Sequence, residues 1–234
     1  MQDYLQYDGF GYRLVPIKTP VESIATMGRV DADVLYNNIM NLYRYGNIKD
    51  EGVYIDNFSR YNINSTQIRG GFARLAEALA ARGEKEKAVE VLDRGVEEIP
   101  FSQVPHGYQS FSYIDAYYAA GDTAKGDALA RDFAHDITQK LYYFFTFPDR
   151  QQDYIADELV DNFQYLEHLI YSLALPNGRM ELVNELDKSL EIAELFFGTT
   201  RDEKGQPQST IPPVSDRTRK EFLEGIEGHF IIEN

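Results

Sequence analysis

The stretch Arg69–Ser102, RGGFARLAEALAARGEKEKAVEVLDRGVEEIPFS, constrains the fold of this chain more than any other. Phe72, Leu75, Ala76 and Leu79 share one face of a helix, because about 100° per residue brings positions i, i+3, i+4 and i+7 together. Gly83 breaks that helix. Ala88, Leu92 and Gly95 make the face of a second helix, with Val96 and Ile99 beside them, and Pro100 stops it. Glu90, Asp93 and Glu97 fall on the other side and read as a solvated face. Two amphipathic helices joined by so short a turn form a hairpin whose apolar faces only stacked neighbours can bury.

Large, large, small, large, then small, large, small and Pro is the tetratricopeptide pattern. A second hairpin follows, with Phe111 to Ala120, a turn at Gly121-Asp122 and a helix from Thr123. Tyr113, Tyr117, Gly121 and Gly126 repeat the spacing of Leu75, Leu79, Gly83 and Ala88, while Ala130 and Phe133 replace Leu92 and Gly95. A third begins near Asp153 with the stripe Leu159, Phe163, Leu166, Ile170 and Leu173, turns at Pro176-Asn177-Gly178, and returns with Val183, Leu186, Leu190, Ala193 and Phe197 aligned. The expected fold is all-α, a tetratricopeptide-like, right-handed α-α superhelix of stacked hairpins over residues 31–200. An extended segment over 1–30 leads into it and packs on the first hairpin. A Pro-containing tail over 201–234 follows, with a short helix from Asp216 to Ile226.

Other expectations are local. A helix from Asp31 places Leu35, Ile39 and Leu42 on one face, and Asp50 to Ile63 reads as a loop with a short helix. Ser65 or Thr66 can cap the first helix of the repeat. Gly70-Gly71 marks a tight approach at its start. Tyr142, Tyr143, Phe144, Phe145 and Phe147 crowd into LYYFFTF and cannot all face one side, so some meet another helix, the tail or a partner. Together with Tyr113 and Tyr117, the residues Tyr142, Tyr143 and Phe145 are the candidate groove or interface positions, since tyrosine suits a half-wet surface.

The chain carries 23 Lys and Arg against 38 Asp and Glu, a net charge of −15, which repels nucleic-acid phosphates and anionic lipid headgroups. With no cysteine, disulfides, thiolate zinc sites and cysteine nucleophiles are excluded. No apolar run is long enough to span a membrane, and MQDYLQYDGFGYRL lacks the form of a secretory signal, so the sequence reads as soluble. It is either cytoplasmic or part of something longer. Glu158, Asp161, Tyr165 and His168 share an arc that could suggest a metal or acid-base site, but it lies opposite the apolar stripe and reads as solvation. His106, His135 and His229 have no partner at metal-ligand spacing, and no HExxH, GxSxG or phosphate-cradling loop occurs. No catalytic, cofactor-binding or metal-binding residue is therefore expected. Asn57-Phe58-Ser59 and Asn64-Ser65-Thr66 match the N-glycosylation triplet and carry little weight. Repeat modules that hold acidic peptide tails line their groove with bases, and Arg69, Arg74 and Arg82 are too scattered for that.

The segment DYLQYDGFGYRLVPIKTP (Asp3 to Pro20), followed by DADVLYNNIMNLYRYGNIKDEGVYID, RLAEALAARGEKEKAVEVLDRGVEEIP and DAYYAAGD, resembles the C-terminal region of large Bacteroidetes membrane proteins of the domain of unknown function 2723 family. YDGFGYRLVPIKT is the specific signature, and the likeness runs to about Phe197. Those proteins look like multi-spanning, lipid-phosphosugar-dependent glycosyltransferases, similar to the transmembrane protein O-mannosyltransferase of eukaryotes. The resemblance implies a non-catalytic, periplasmic helical-repeat domain whose partners are an acceptor polypeptide, another protein or its own membrane domain. The catalytic acid of such transferases belongs to the membrane part, so no catalytic residue carries over. Two other readings compete with this one. The first is a freestanding cytoplasmic adaptor that binds peptides. The second is a helical-toroid glycoside hydrolase working with two carboxylates, which needs more hairpins than this chain supplies.

Overall fold

Gly83 and Gly121, at equivalent places in the first two repeats, both take the left-handed backbone (φ +82° and +88°) that glycine alone adopts cheaply, and each lets one helix end and the next begin. A computed structural model describes residues 2–18, 27–147, 153–197, 200–201 and 207–208. The fold is all-α apart from a small N-terminal sheet and a short two-stranded ribbon. Its contacts form two compact units, residues 1–133 and 134–234.

Within the N-terminal segment, after a 3-10 turn at Gln2–Tyr4, the described residues include short paired strands. Strands β1 (Leu5–Tyr7) and β2 (Tyr12–Leu14) form an antiparallel hairpin with Tyr7 opposite Tyr12, and β3 (Arg29–Val30) runs parallel on the other side of β1. The pairing with β3 is not legible in the sequence, because a two-residue strand carries no alternation. The hairpin loop of the YDGFGYRL signature delivers Phe10 against Tyr43 and Phe72, with ring centroids 4.7 and 6.1 Å away.

Helix α1 (Ala32–Asn37) is capped by Asp31, whose carboxylate accepts from the Val34 amide at 3.2 Å. It continues as a π-helical turn, Asn38–Leu42, in which the Tyr43 amide donates to the Asn38 carbonyl five residues back. The extra residue in that turn rotates Leu42 off the face it would share with Leu35 and Ile39. Those two are buried, whereas Leu42 is 60 % exposed. Leu42→Glu should therefore change stability in urea unfolding by no more than about 0.5 kcal/mol, and a loss above about 2 kcal/mol would mean that the apolar face does reach Leu42.

Helix α2 (Asn57–Ile63), capped by Asp56, is the short helix expected within the loop, and none of its residues is buried. Helix α3 (Arg69–Ala81) starts later than Ser65 because that residue closes a preceding turn. Its hydroxyl accepts from the Ile68 amide at 3.4 Å and its carbonyl from Gly70 at 3.0 Å. Tyr7 docks on this helix start. Its hydroxyl donates to the Gln67 carbonyl at 2.5 Å, and a Cβ on Gly71 would collide with that hydroxyl. The tight approach expected at Gly70-Gly71 is present.

Helix α4 (Lys85–Glu98) folds back on α3, and α5 (Gln109–Ala120) packs on both. Phe72, Leu75, Ala76, Leu79, Ala88, Leu92 and Gly95 are all buried, and Pro100 follows the end of α4. Helix α6 (Thr123–Phe145) lies against α5, where the Tyr118 hydroxyl donates to Asp127 at 2.9 Å. The first two hairpins thus form the stack that their repeats require.

In the second unit, α7 (Ala156–Glu167) runs into a π-helical turn, His168–Ala174, and α8 (Met180–Phe197) returns after Gly178. Leu159, Phe163, Leu166, Ile170 and Leu173 are buried, as are Leu186, Leu190 and Ala193 opposite them. Strands β4 (Thr200–Arg201) and β5 (Pro207–Gln208) make a short antiparallel ribbon. The tail helix expected at 216–226 lies outside the described residues, as does the side chain of Phe197. Among the described residues no helix is long and apolar enough to cross a membrane.

Candidate functional site

Asp93 and Glu97 read in sequence as ordinary solvated positions of α4, yet they form one wall of an open groove between α4 and α6 with a volume of about 630 Å³. Its apolar surface comes from Val96, Phe101, Ala128 and Leu129. Asp132 and Lys125 of α6 line the other side, and Tyr117 of α5 contributes its hydroxyl end. Three carboxylates and one ammonium therefore surround an apolar floor.

The polar contacts are specific. Lys125 donates to both carboxylate oxygens of Asp93 at 2.9 and 2.7 Å, and its ammonium lies 3.6 Å from Asp122. Hydrogen bonding to Asp93 holds the Lys125 pKa above the ordinary lysine value. The Tyr117 hydroxyl donates to the same Asp93 carboxylate at 3.0 Å, and burial followed by the neighbouring Asp93 charge pushes its phenol well above the usual range. Glu97 pairs with Lys49 at 3.2 Å and Arg94 at 3.8 Å.

Phe101 also belongs to a stack that holds the groove's floor. Its ring lies 3.9 Å from His106 at an interplanar angle of 7°, and His106 lies 4.9 Å from Phe133 at 15°. On the far face of Phe101 sits the guanidinium of Arg69, 4.2 Å from the ring centroid. Arg69 is enclosed and donates to the carbonyls of Ile99 (2.9 Å), Val104 (2.9 Å) and Pro105 (3.3 Å) and to the Asn64 side chain (3.2 Å). Burial lowers its pKa to about 10, so it remains charged at neutral pH, solvated by carbonyl dipoles. The Ile99 carbonyl ends α4, where the helix dipole favours a cation.

His106 joins a hydrogen-bond chain that superficially matches a Ser-His-Asp triad. The Gly107 amide donates to the Ser110 hydroxyl at 3.3 Å, Ser110 and His106 Nδ1 are 3.0 Å apart, and His106 Nε2 is 3.1 Å from Asp132. Ser110 thus bridges the Gly107 amide and the Nδ1 side of the ring, while Nε2 faces Asp132. The order is inverted for catalysis. A nucleophilic serine must face solvent with its aspartate enclosed, whereas here Ser110 is fully buried and the Asp132 side chain is 62 % exposed. The chain positions Asp132 at the groove.

The expected interface residues separate. Tyr113 is 1 % exposed in the core between helices, so it cannot line a groove, and burial drives its phenol pKa far up. Tyr117 reaches the groove with its hydroxyl only. Tyr142 and Tyr143 are exposed on α6, Tyr143 packing on Phe144 and Phe147, and the side chain of Phe145 lies outside the described residues. Arg69, Arg74 and Arg82 are all engaged within the chain. Arg69 holds the 99–105 carbonyls, Arg74 covers the Tyr7 ring at 4.4 Å and donates to Met27 and Gly28, and Arg82 pairs with Asp33 at 3.0 Å. Glu158 and Asp161 are exposed, and among the described residues no group of three acids or imidazoles is placed to hold a metal ion.

Compared with protein-family models, curated proteins and solved structures, the chain matches none. What sequence reading missed is the groove's polar set, because Asp93 and Lys125 meet across two repeats and each looks solvated on its own helix. The i,i+4 spacing of His106 and Ser110 around a helix start was the one local signal.

Proposed function

We propose that this chain is a non-catalytic helical-repeat domain of a membrane glycosyltransferase-like protein, standing on the periplasmic side and holding an acceptor polypeptide or partner protein. The observation that carries the holding role is the groove between α4 and α6, open to solvent, apolar along its floor and charged at its rim. Such a combination suits a polypeptide, whose side chains alternate between apolar and polar contacts. The membrane context rests on the likeness of YDGFGYRLVPIKT and the repeats that follow it. Phe10 of that signature packs on Phe72, so the signature and the first hairpin belong to one packed unit.

The test compares the full-length membrane protein with a version lacking this segment, both isolated after crosslinking. Loss of the crosslinked polypeptide partners and of their glycosylated products is the expected result. Identical partners and products from both versions would end the accessory reading.

A further inference from the structure

The groove's charge distribution is uneven in a way that selects its occupant. Asp132 meets, among the described residues, the imidazole of His106, and its side chain is 62 % exposed toward the groove. Glu97 is 60 % exposed along its side chain and shares Lys49 and Arg94 at the surface, where such pairs are worth little and exchange easily. Lys125 shows that the wall accommodates a primary ammonium, since it is held by both oxygens of Asp93. Beside these acids lie Val96, Phe101 and Leu129, an apolar surface that an aliphatic or aromatic side chain can cover.

We propose that the groove binds a basic polypeptide segment, with one Lys or Arg side chain directed at Asp132 and Glu97 and apolar neighbours on Val96, Phe101 and Leu129. The proposal rests on the polypeptide-holding reading above and names its ligand class. An acidic segment would bring a carboxylate among three others, each of which repels it. A wholly apolar segment would cover Asp132 without pairing it, leaving a desolvated charge. A cation beside an apolar side chain meets both parts of the groove. Lys125 competes with that cation, because it already neutralises one carboxylate of the wall.

The experiment selects a displayed library of random 12-residue peptides on the whole chain and measures the enriched peptides by calorimetry. Enriched peptides should carry Lys or Arg next to an aliphatic or aromatic residue. Asp132→Asn and Glu97→Gln should each weaken them about 5- to 10-fold, while the asparagine amide, able to accept or donate, keeps a hydrogen-bond partner for His106. Ala128→Gln, an exposed helical position, should fill the groove and weaken them further, and Lys125→Met should tighten them a few-fold. Neutral or acidic peptides that still lose binding on Ala128→Gln would overturn the basic-ligand proposal and leave the holding reading intact. Basic peptides indifferent to all four substitutions would overturn it too, by placing binding elsewhere. No enrichment at all would remove the holding reading together with the proposal.

Discussion

Arg69→Met is expected to cost about 3–5 kcal/mol in urea unfolding, a large part of the ~5–15 kcal/mol that holds a domain together. The substitution keeps much of the side chain's length and apolar bulk, so little of the loss is cavity. What it removes is the donor set for Ile99, Val104 and Pro105, whose carbonyls have been built around one guanidinium. Two of those hydrogen bonds are buried, and a buried acceptor left without a donor loses its full desolvation cost. The cation over Phe101 goes as well. Arg69→Lys should recover only part of the loss, since one ammonium cannot span the carbonyls that a planar fork reaches. Hydrogen exchange distinguishes this account from general loosening. Protection should fall first over residues 99–110, because Arg69 fastens the connection between α4 and α5, and α1 should lose none. A loss below about 1 kcal/mol would mean that water replaces the guanidinium. Because Phe101 is both a floor residue of the groove and the ring under Arg69, the same variant should weaken any groove ligand.

The placement of Arg69 also shows where sequence reading stops. Helix faces were legible because 3.6-residue periodicity records burial directly, and Leu75, Leu79, Ala88, Leu92, Leu166 and Ile170 are all in the core. The repeat turns were legible because Gly83 and Gly121 both need a positive φ. Leu42 departed from its face because a π-helical turn leaves no mark in an apolar pattern. Arg69 looked like a scattered surface base, since nothing in its own helix says that the 99–105 segment will wrap its head. His106 looked idle when measured only against metal spacing, yet its partners are two phenylalanine rings, Ser110 and Asp132. Tyr113 occupies the repeat position of Leu75, which is the physical reason that it is buried; its hydroxyl suggested a groove that its position in the repeat denies it. For Arg69 and for His106 with Asp132, the missing information is a contact between elements distant in sequence, which periodicity along one element cannot carry.

Gly95→Ala should destabilise the chain by about 1–2 kcal/mol, although alanine favours the helix by ~1 kcal/mol over glycine. A Cβ at this point of α4 would run into the Tyr113 hydroxyl and lie 3.0 Å from the Phe72 ring, and both neighbours are buried and held on other helices. The Tyr113 hydroxyl is itself buried without a hydrogen-bond partner among the described residues. Tyr113→Phe should therefore stabilise by about 1 kcal/mol, removing a desolvated polar group at almost unchanged shape. Combining the two changes tests whether they share one cause. With the hydroxyl gone, only the Phe72 contact opposes the new methyl, and Gly95→Ala should become close to neutral in the Tyr113→Phe background. The cycle then shows a coupling of at least ~1 kcal/mol, where independent sites would add. If Tyr113→Phe instead destabilises by more than about 1 kcal/mol, a bound water satisfies the hydroxyl and the crowding account fails. The same glycine bears on the groove, because Gly95 lies between Asp93 and Glu97 on α4. An outward shift of α4 forced by the methyl would carry both carboxylates with it. Basic-peptide affinity should fall with Gly95→Ala and return in the double variant, following the position of the helix and not the charge of its wall.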